Sequence, residues 1–225
     1  PDEAERAANL KEIYTELEIL FRHKERNPAN DVASVIVTAR DKDGNQHNWQ
    51  DILDCGFLLF VAGLDTVTNT MASVWRYLAT NPTARQFFLE RMDDQEALMP
   101  AVEELLRYDS SVQLTSRKAS ADVEIGGQTI GRGEEVICLL GAGNRDPEAY
   151  ENPETLDIMR KNVRPLSFGG GIHTCLGAQL ARLEGEIAFK ALATRLPNMR
   201  LENIDDPQWK PTITLRRLEH LPAVW

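Results

Sequence analysis

Apolar residues return at helical spacing near the start of the chain. Leu10, Ile13, Tyr14, Leu17, Leu20 and Phe21 share one face of a helix expected over residues 3–26. "NPAND" ends that pattern, and Asp31 is placed to cap a short second helix with Val32, Val35 and Ile36 turned inward. "DKDGN" (41–45) reads as a turn. From Asn48 to about Thr80 no proline interrupts a sustained helical pattern, a helix roughly 45–50 Å long. Its centre, "GFLLFVAGL", is apolar all round, which predicts burial there. Asn81-Pro82 punctuates it, and helices are expected at about 83–91 and 95–107.

The pattern then changes. "LTSRKASADVEIGGQTIGRGEEVICLL" alternates between apolar and polar positions, with Gly126-Gly127 and Gly131/Gly133 as turn signals. Short strands are expected here. The stretch from "NRDPEAYENP" to about residue 174 reads as irregular. Residues 176–196 return to helical spacing with Leu176, Leu180, Leu183, Ile187 and Leu192 inward, and Pro197 closes the segment. The tail from Met199 reads as short strands. The whole predicts a mainly α fold with small β-sheets.

Composition narrows the function classes. The net charge is −10, without the basic footprint that nucleic-acid binding usually shows. No apolar run approaches the roughly 20 residues that span a bilayer. The opening stretch is charged and amphipathic, unlike an export signal. Three cysteines, Cys55, Cys138 and Cys175, make a sparse, odd set. That argues against a disulfide framework and for a reducing, cytoplasmic setting. The chain opens almost inside a helix, as the later part of something longer would.

The chemistry concentrates in "RPLSFGGGIHTCLGAQLAR" (164–182). A helix N-terminus stabilises negative charge, so a cysteine there favours its thiolate. Gly169, Gly170 and Gly171 let backbone approach a flat object and take unusual dihedrals. Gly177 leaves room beside the sulfur. From the residues alone, Cys175 could equally be a small hydrophobe at a helix start, or half of a Cys–His pair. The spacing argues against a zinc site, because no Cys or His other than His173 lies at ligand spacing.

The order Phe168-Gly169-x-Gly171-x-His173-x-Cys175-x-Gly177, followed by Leu180-Ala181-Arg182, resembles the haem-binding signature of the cytochrome P-450 monooxygenases. The resemblance implies Cys175 as axial thiolate on the iron of haem b (iron protoporphyrin IX), where its electron donation favours O–O cleavage. It implies His173 as donor to a haem propionate and Phe168 packed near the sulfur.

Other segments follow in the family's order. "AGLDT" (62–66) stands in the long helix. Gly63 there costs about 1 kcal/mol against Ala, and Thr66 sits one turn from the Ala62 carbonyl, where back-bonding can open a helix. The segment resembles the family's oxygen-activation motif. That implies Asp65 and Thr66 in proton delivery, and Ala62 and Gly63 along the dioxygen groove. Glu104 and Arg107 in "EELLR" share a helix face and resemble the family's buried structural pair. Its usual third partner is missing, because "PETL" has Thr155 at the basic position; the triad is then either incomplete or completed by Arg160 or Arg164. Arg117 falls where the family often binds a propionate. "GNRDPEAYENP" and the closing "LPAVW" also match family segments. "AGLDTVTN" and that ending are similar to the camphor-hydroxylase branch.

The resemblance covers residues 1–225 as the C-terminal part of one haem-thiolate domain, without the N-terminal half. It implies insertion of one atom of O2 into a C–H bond of a small apolar substrate, with electrons from a ferredoxin-type partner. Arg160, Lys161, Arg164 and Arg182 would steer that partner to the Cys175 face. Val112, Leu114, Thr214 and Leu215 would face the substrate. The rival expectations are a haem-binding fragment without turnover, alone, paired with the N-terminal half or with a second copy, and a peroxide-using haem-thiolate enzyme.

Overall fold

The computed structural model describes residues 2–225, and its contacts form two units, one ending at Asp65 and the other Thr66–Trp225. The first unit holds α1 (Glu3–Arg26), α2 (Val32–Thr38) and the start of α3 (Trp49–Thr80). Asp2 caps α1, its Oδ1 accepting from the Glu5 N–H at 2.8 Å, with acidic residues in the first turn and basic ones in the last, as the helix dipole favours. Phe21, Val37, Ile52 and Leu53 form the core of this unit. The Phe21 ring lies 2.4 Å from where Gly56 would carry a Cβ, so this contact requires glycine.

Several apolar faces differ from expectation. Leu10 and Leu20 are exposed. On α2, Val32 and Val35 face solvent while Ser34 and Val37 are buried. Asp31 does cap this helix, accepting from the Ser34 N–H at 2.8 Å. The Ser34 hydroxyl accepts from the Ala29 N–H at 2.9 Å, which turns that side inward. The centre of α3 is not buried either: Leu58, Phe60, Val61 and Leu64 are exposed. Apolar patterning predicts burial only where another element supplies the cover.

The second unit holds the rest of α3, α4 (Pro82–Glu90), α5 (Gln95–Tyr108), α6 (Leu140–Gly143) and α7 (Ala178–Arg195). Asn81 and Asp94 cap α4 and α5 through their side chains. Val74, Leu78, Phe88, Leu98, Leu105 and Leu106 are central to the core. Among the described residues three two-stranded antiparallel sheets are attached: β1 (Thr115–Lys118) with β4 (Glu135–Cys138), β2 (Val123–Ile125) with β3 (Gln128–Ile130), and β5 (Arg200–Leu201) with β6 (Ala223–Val224). Gly126 and Gly127 close the β2–β3 hairpin with φ of 58° and 75°, the left-handed pair that a tight hairpin requires. The fold is mainly α with small β-sheets.

On α7 the expected inward stripe is exposed. Leu180, Leu183 and Ile187, with Leu176 just before the helix, all lie open, and only Leu192 is half-buried. Phe189 meets the core instead, against Trp75 and Phe88. Among the described residues no helix is long and apolar enough to cross a membrane.

Candidate functional site

Residues 165–178 form a closed loop leading into α7. A 3-10 turn at Leu166–Phe168 is followed by Gly169 at φ 66°, ψ −157° and by Gly171 at φ 65°. The Gly169 conformation is essentially restricted to glycine. A second 3-10 turn, Gly171–His173, reverses the chain. The Cys175 N–H then donates to the Phe168 carbonyl at 2.8 Å, and the Thr174 hydroxyl to the Gly171 carbonyl at 2.8 Å. Cys175 emerges exposed, two residues before Gly177, the cap of the 18-residue α7. Gly177 offers no side-chain cap. A Cβ there would come 4.0 Å from the Cys175 sulfur, while one on Gly170 or Gly171 would meet nothing.

The loop presents more than a thiol. Ile172 is 97% exposed and Leu176 88%, so Cys175 stands between two uncovered apolar side chains. His173 is also exposed. An open backbone face, flanking apolar groups and a thiol at a helix N-terminus fit a flat, largely apolar group ligated through sulfur. Among the described residues no group of three or more His, Cys, Asp or Glu could hold a metal ion by itself. The one thiol would thus be the metal's protein ligand.

Asn144, fully buried, anchors the start of this loop. Its Oδ1 accepts from the Leu166 N–H at 2.6 Å, and its Nδ2 donates to Ser167 Oγ at 3.0 Å and Ser110 Oγ at 3.2 Å. Ser110 donates to Ser167 at 2.6 Å, and Ser167 to the Leu106 carbonyl at 2.7 Å. The loop is therefore tied to the end of α5. Sequence reasoning missed Asn144; its only signal was its place in "GNRDPEAYENP". Phe168 is held from the other side, with the Arg182 guanidinium 4.4 Å from its ring centroid. Arg182 is in turn paired with Glu103 at 2.5 Å.

The "EELLR" pair is buried, Glu104 at 0% and Arg107 at 1% exposure. Arg107 donates from Nε and Nη2 to the two Glu104 oxygens at 2.6 and 2.8 Å. Its remaining N–H groups reach the carbonyls of Asn144, Pro153 and Thr155 at 2.8–3.1 Å. All five guanidinium donors are thus used. The third member is Arg160: its Nε lies 3.1 Å from Glu104 Oε1, and its Nη atoms donate to the carbonyls of Glu151, Asn152 and Thr155. Arg164 is exposed, and its carbonyl accepts from Tyr150.

This corrects the expected basic docking cluster. Arg160 is committed to Glu104, and Arg182 to Glu103 and Phe168. Only Lys161 and Arg164 of the four remain exposed. Charge near the loop is spent on positioning because buried carboxylates need partners.

The other candidates sit on three elements. Ala62, Gly63, Asp65 and Thr66 lie on α3; a Cβ on Gly63 would meet no protein atom within 4 Å. The Thr70 hydroxyl donates to the Thr66 carbonyl at 2.8 Å. Arg117 is on β1 and half-buried, its guanidinium turned to Thr115 Oγ1 and the Ser116 carbonyl. Val112 and Leu215 are bridge partners, and the Gln113 N–H donates to the Thr214 carbonyl at 2.9 Å. The structure thus joins the two segments bearing Val112, Leu114, Thr214 and Leu215. Beside them Asp109 is buried and paired with Arg216, Oδ1 to Nε 2.9 Å. Burial pushes the Asp109 carboxyl up, opposed by Arg216. Burial, with the Asp109 charge next, raises Tyr77 to about 12.

Comparison with known proteins agrees with this geometry. The profile of the family described as "Cytochrome P450" matches residues 3–215. The polyketide biosynthesis cytochrome P450 PksS of Bacillus subtilis is 41% identical over 217 residues, covering 95% of this chain and 52% of the relative. The 6-deoxyerythronolide B hydroxylase of Saccharopolyspora erythraea is 35% identical over 225 residues, covering 99% and 55%. Among solved structures, P450BioI in complex with an acyl carrier protein ligated to hexadec-9Z-enoic acid superposes with a TM-score of 0.82 at 36% identity, covering 95% of this chain and 53% of that one. The chain spans about half the length of the curated relatives it matches. A match over almost every residue, on a fold that presents one exposed thiol at a helix start, has one reading: this chain belongs to the cytochrome P450 family.

Proposed function

We propose that this chain is the C-terminal part of a haem-thiolate domain whose activity is monooxygenation of an apolar organic substrate. When bound, the haem supplies dioxygen activation and the electron transfers that go with it. Cys175 would provide the ligand to iron from the N-terminus of α7. Gly170 and Gly171 would let backbone approach the bound haem, with Ile172 and Leu176 as apolar contacts. His173 and Arg117 donate to the propionates, and Phe168 excludes water beside the sulfur. Asp65 and Thr66 hold and pass a proton by general-acid chemistry through hydroxyl and water. Gly63 and Ala62 leave space along α3. Val112, Leu114, Thr214 and Leu215 contact the substrate.

The observation that carries this reading is the exposed Cys175 at the N-terminus of α7, between glycines and uncovered apolar side chains. Electrons come from a ferredoxin-type partner, with Lys161 and Arg164 as the cations open to it. Three free cysteines favour a reducing, cytoplasmic setting. The acyl carrier protein complex of the structural relative makes carrier-bound acyl chains a substrate class to test beside free small molecules. The narrower likeness to camphor-hydroxylase members carries no part of this reading.

The test is spectroscopic. The reduced, carbon-monoxide-bound protein is expected to show the red-shifted Soret band of thiolate ligation, and Cys175→Ala to abolish it. A band typical of histidine ligation, or an unchanged spectrum in Cys175→Ala, overturns the assignment.

A further inference from the structure

Two stretches distant in sequence, 111–115 and 212–216, meet side by side in the second unit. Val112 and Leu215 form an antiparallel bridge. The Gln113 N–H donates to the Thr214 carbonyl at 2.9 Å and the Arg216 N–H to the Ser111 carbonyl at 2.8 Å. The second stretch closes on itself as a turn: Thr212 Oγ1 donates to the Leu215 carbonyl at 3.1 Å and accepts from the Leu215 N–H at 3.2 Å. At its tip Ile213 is 80% exposed. Within the described residues the turn is held by the contacts behind it.

Those contacts converge on Arg216. Its Nε lies 2.9 Å from Asp109 Oδ1, and its guanidinium stacks 3.9 Å over the Trp209 ring. Asp109 is itself rigidly placed. It is 4% exposed, and its N–H closes the end of α5 by donating to the Leu105 carbonyl at 3.0 Å. Ser73 and Tyr77 also supply side-chain hydrogen bonds to this buried carboxylate and Arg145 a further positive charge, with Arg216 the largest of the favourable influences on it. The Arg216–Asp109 hydrogen bond is charge-assisted and directional, with the Arg216 side chain itself 41% exposed to solvent.

We propose that Arg216 is a positioning residue for the substrate wall: pairing with Asp109 locks the 212–215 turn to the 111–114 segment, so that Val112, Leu114, Thr214 and Leu215 act as one surface. The proposal rests on the haem-thiolate reading for the identity of the pocket, but the mechanical link stands on the contacts alone. Neutralising Arg216 leaves the turn held to the 111–114 segment by the two main-chain bonds that make up the single bridge.

The test uses the full polypeptide that carries this sequence, loaded with haem, as Arg216→Gln, Arg216→Lys and Asp109→Asn. Two azole probes separate positioning from general damage. On the haem-thiolate reading, iron-bound imidazole would be too small to extend to the wall, whereas 4-phenylimidazole would carry its ring toward it. Arg216→Gln is expected to weaken 4-phenylimidazole about tenfold relative to imidazole, the size of one charged hydrogen bond. Arg216→Lys restores part of that loss, and Asp109→Asn matches Arg216→Gln. Amide exchange gives a readout that needs no haem: the Gln113 and Arg216 amides exchange about tenfold faster in Arg216→Gln, with α5 amides unchanged. Equal loss of both azoles, no loss of either, or unchanged amide protection overturns the proposal. If Arg216→Gln does not fold, Arg216→Lys and Asp109→Asn carry the same comparison. A missing thiolate band in the unsubstituted protein would sink the haem reading while the amide-exchange arm still decides the Arg216 link.

Discussion

Asn144→Ala gives the sharpest test of how the cysteine loop is held. The side chain is fully buried and makes three hydrogen bonds. Its removal leaves the part-buried Leu166 N–H without its side-chain acceptor, at about 1 kcal/mol, the low end for an unsatisfied donor. The two serine contacts are less serious. Ser110 still donates to Ser167, and Ser167 to the Leu106 carbonyl, so each loss is about 0.5–1.5 kcal/mol. These groups form one network, so the terms do not simply add. A total near 3 kcal/mol is expected, read as a lower urea midpoint at unchanged m-value. Because Leu166 begins the turn that leads to Cys175, the fraction of protein showing the thiolate band should fall as well. Asn144→Asp is the internal control. It keeps the acceptor for Leu166 but buries a carboxyl whose folded-state pKa is raised by desolvation. Its penalty should therefore grow as pH rises above the ordinary carboxylate range and shrink in acid. A loss below about 0.5 kcal/mol in Asn144→Ala would refute the reasoning, since even one of its three hydrogen bonds is expected to contribute about that much.

Three further outcomes follow from the charged groups. Arg160→Met should destabilise by about 2 kcal/mol, and Arg107→Met by about 3–5 kcal/mol, in denaturant unfolding, because Glu104 keeps Arg107 in the first and loses its main partner in the second. Asp109→Asn should change the pH profile of stability. Burial raises the Asp109 carboxyl above 3.8, so the folded state holds its proton longer and stability declines as pH climbs from 3.8 to the folded value; the variant should lack that decline in urea melts taken across the window. Asp31 shows the opposite sign. Hydrogen bonds from Lys24 first, then from the Ser34 N–H, hold it at about 2, so its contribution is present above 3.8 and lost as pH falls to about 2. Asp31→Asn should flatten that acid limb.

Element order was legible from pattern. α3, α4, α5 and α7 lie where spacing, prolines and glycines place them, and Gly126-Gly127 mark a true hairpin. The cysteine loop was also legible, because positive-φ glycines and a thiol before a helix are local requirements. What local patterning misjudged was cover. Leu180, Leu183 and Ile187 repeat at core spacing yet stand exposed. Periodicity reports that a face is apolar, not that a partner lies on it.

The sequence by itself determined where helices start and stop, which residues form the glycine–cysteine loop, and that Glu104 and Arg107 share a helix face. These follow from dihedral preference, capping and spacing within one turn or one loop. Only the tertiary structure decided that Arg160 completes the buried triad, that Asn144 fastens the loop to α5, and that Arg216 ties two distant segments together. Each of those depends on buried polar atoms finding partners dozens of residues away, because a buried group without one costs more than a local motif can offset.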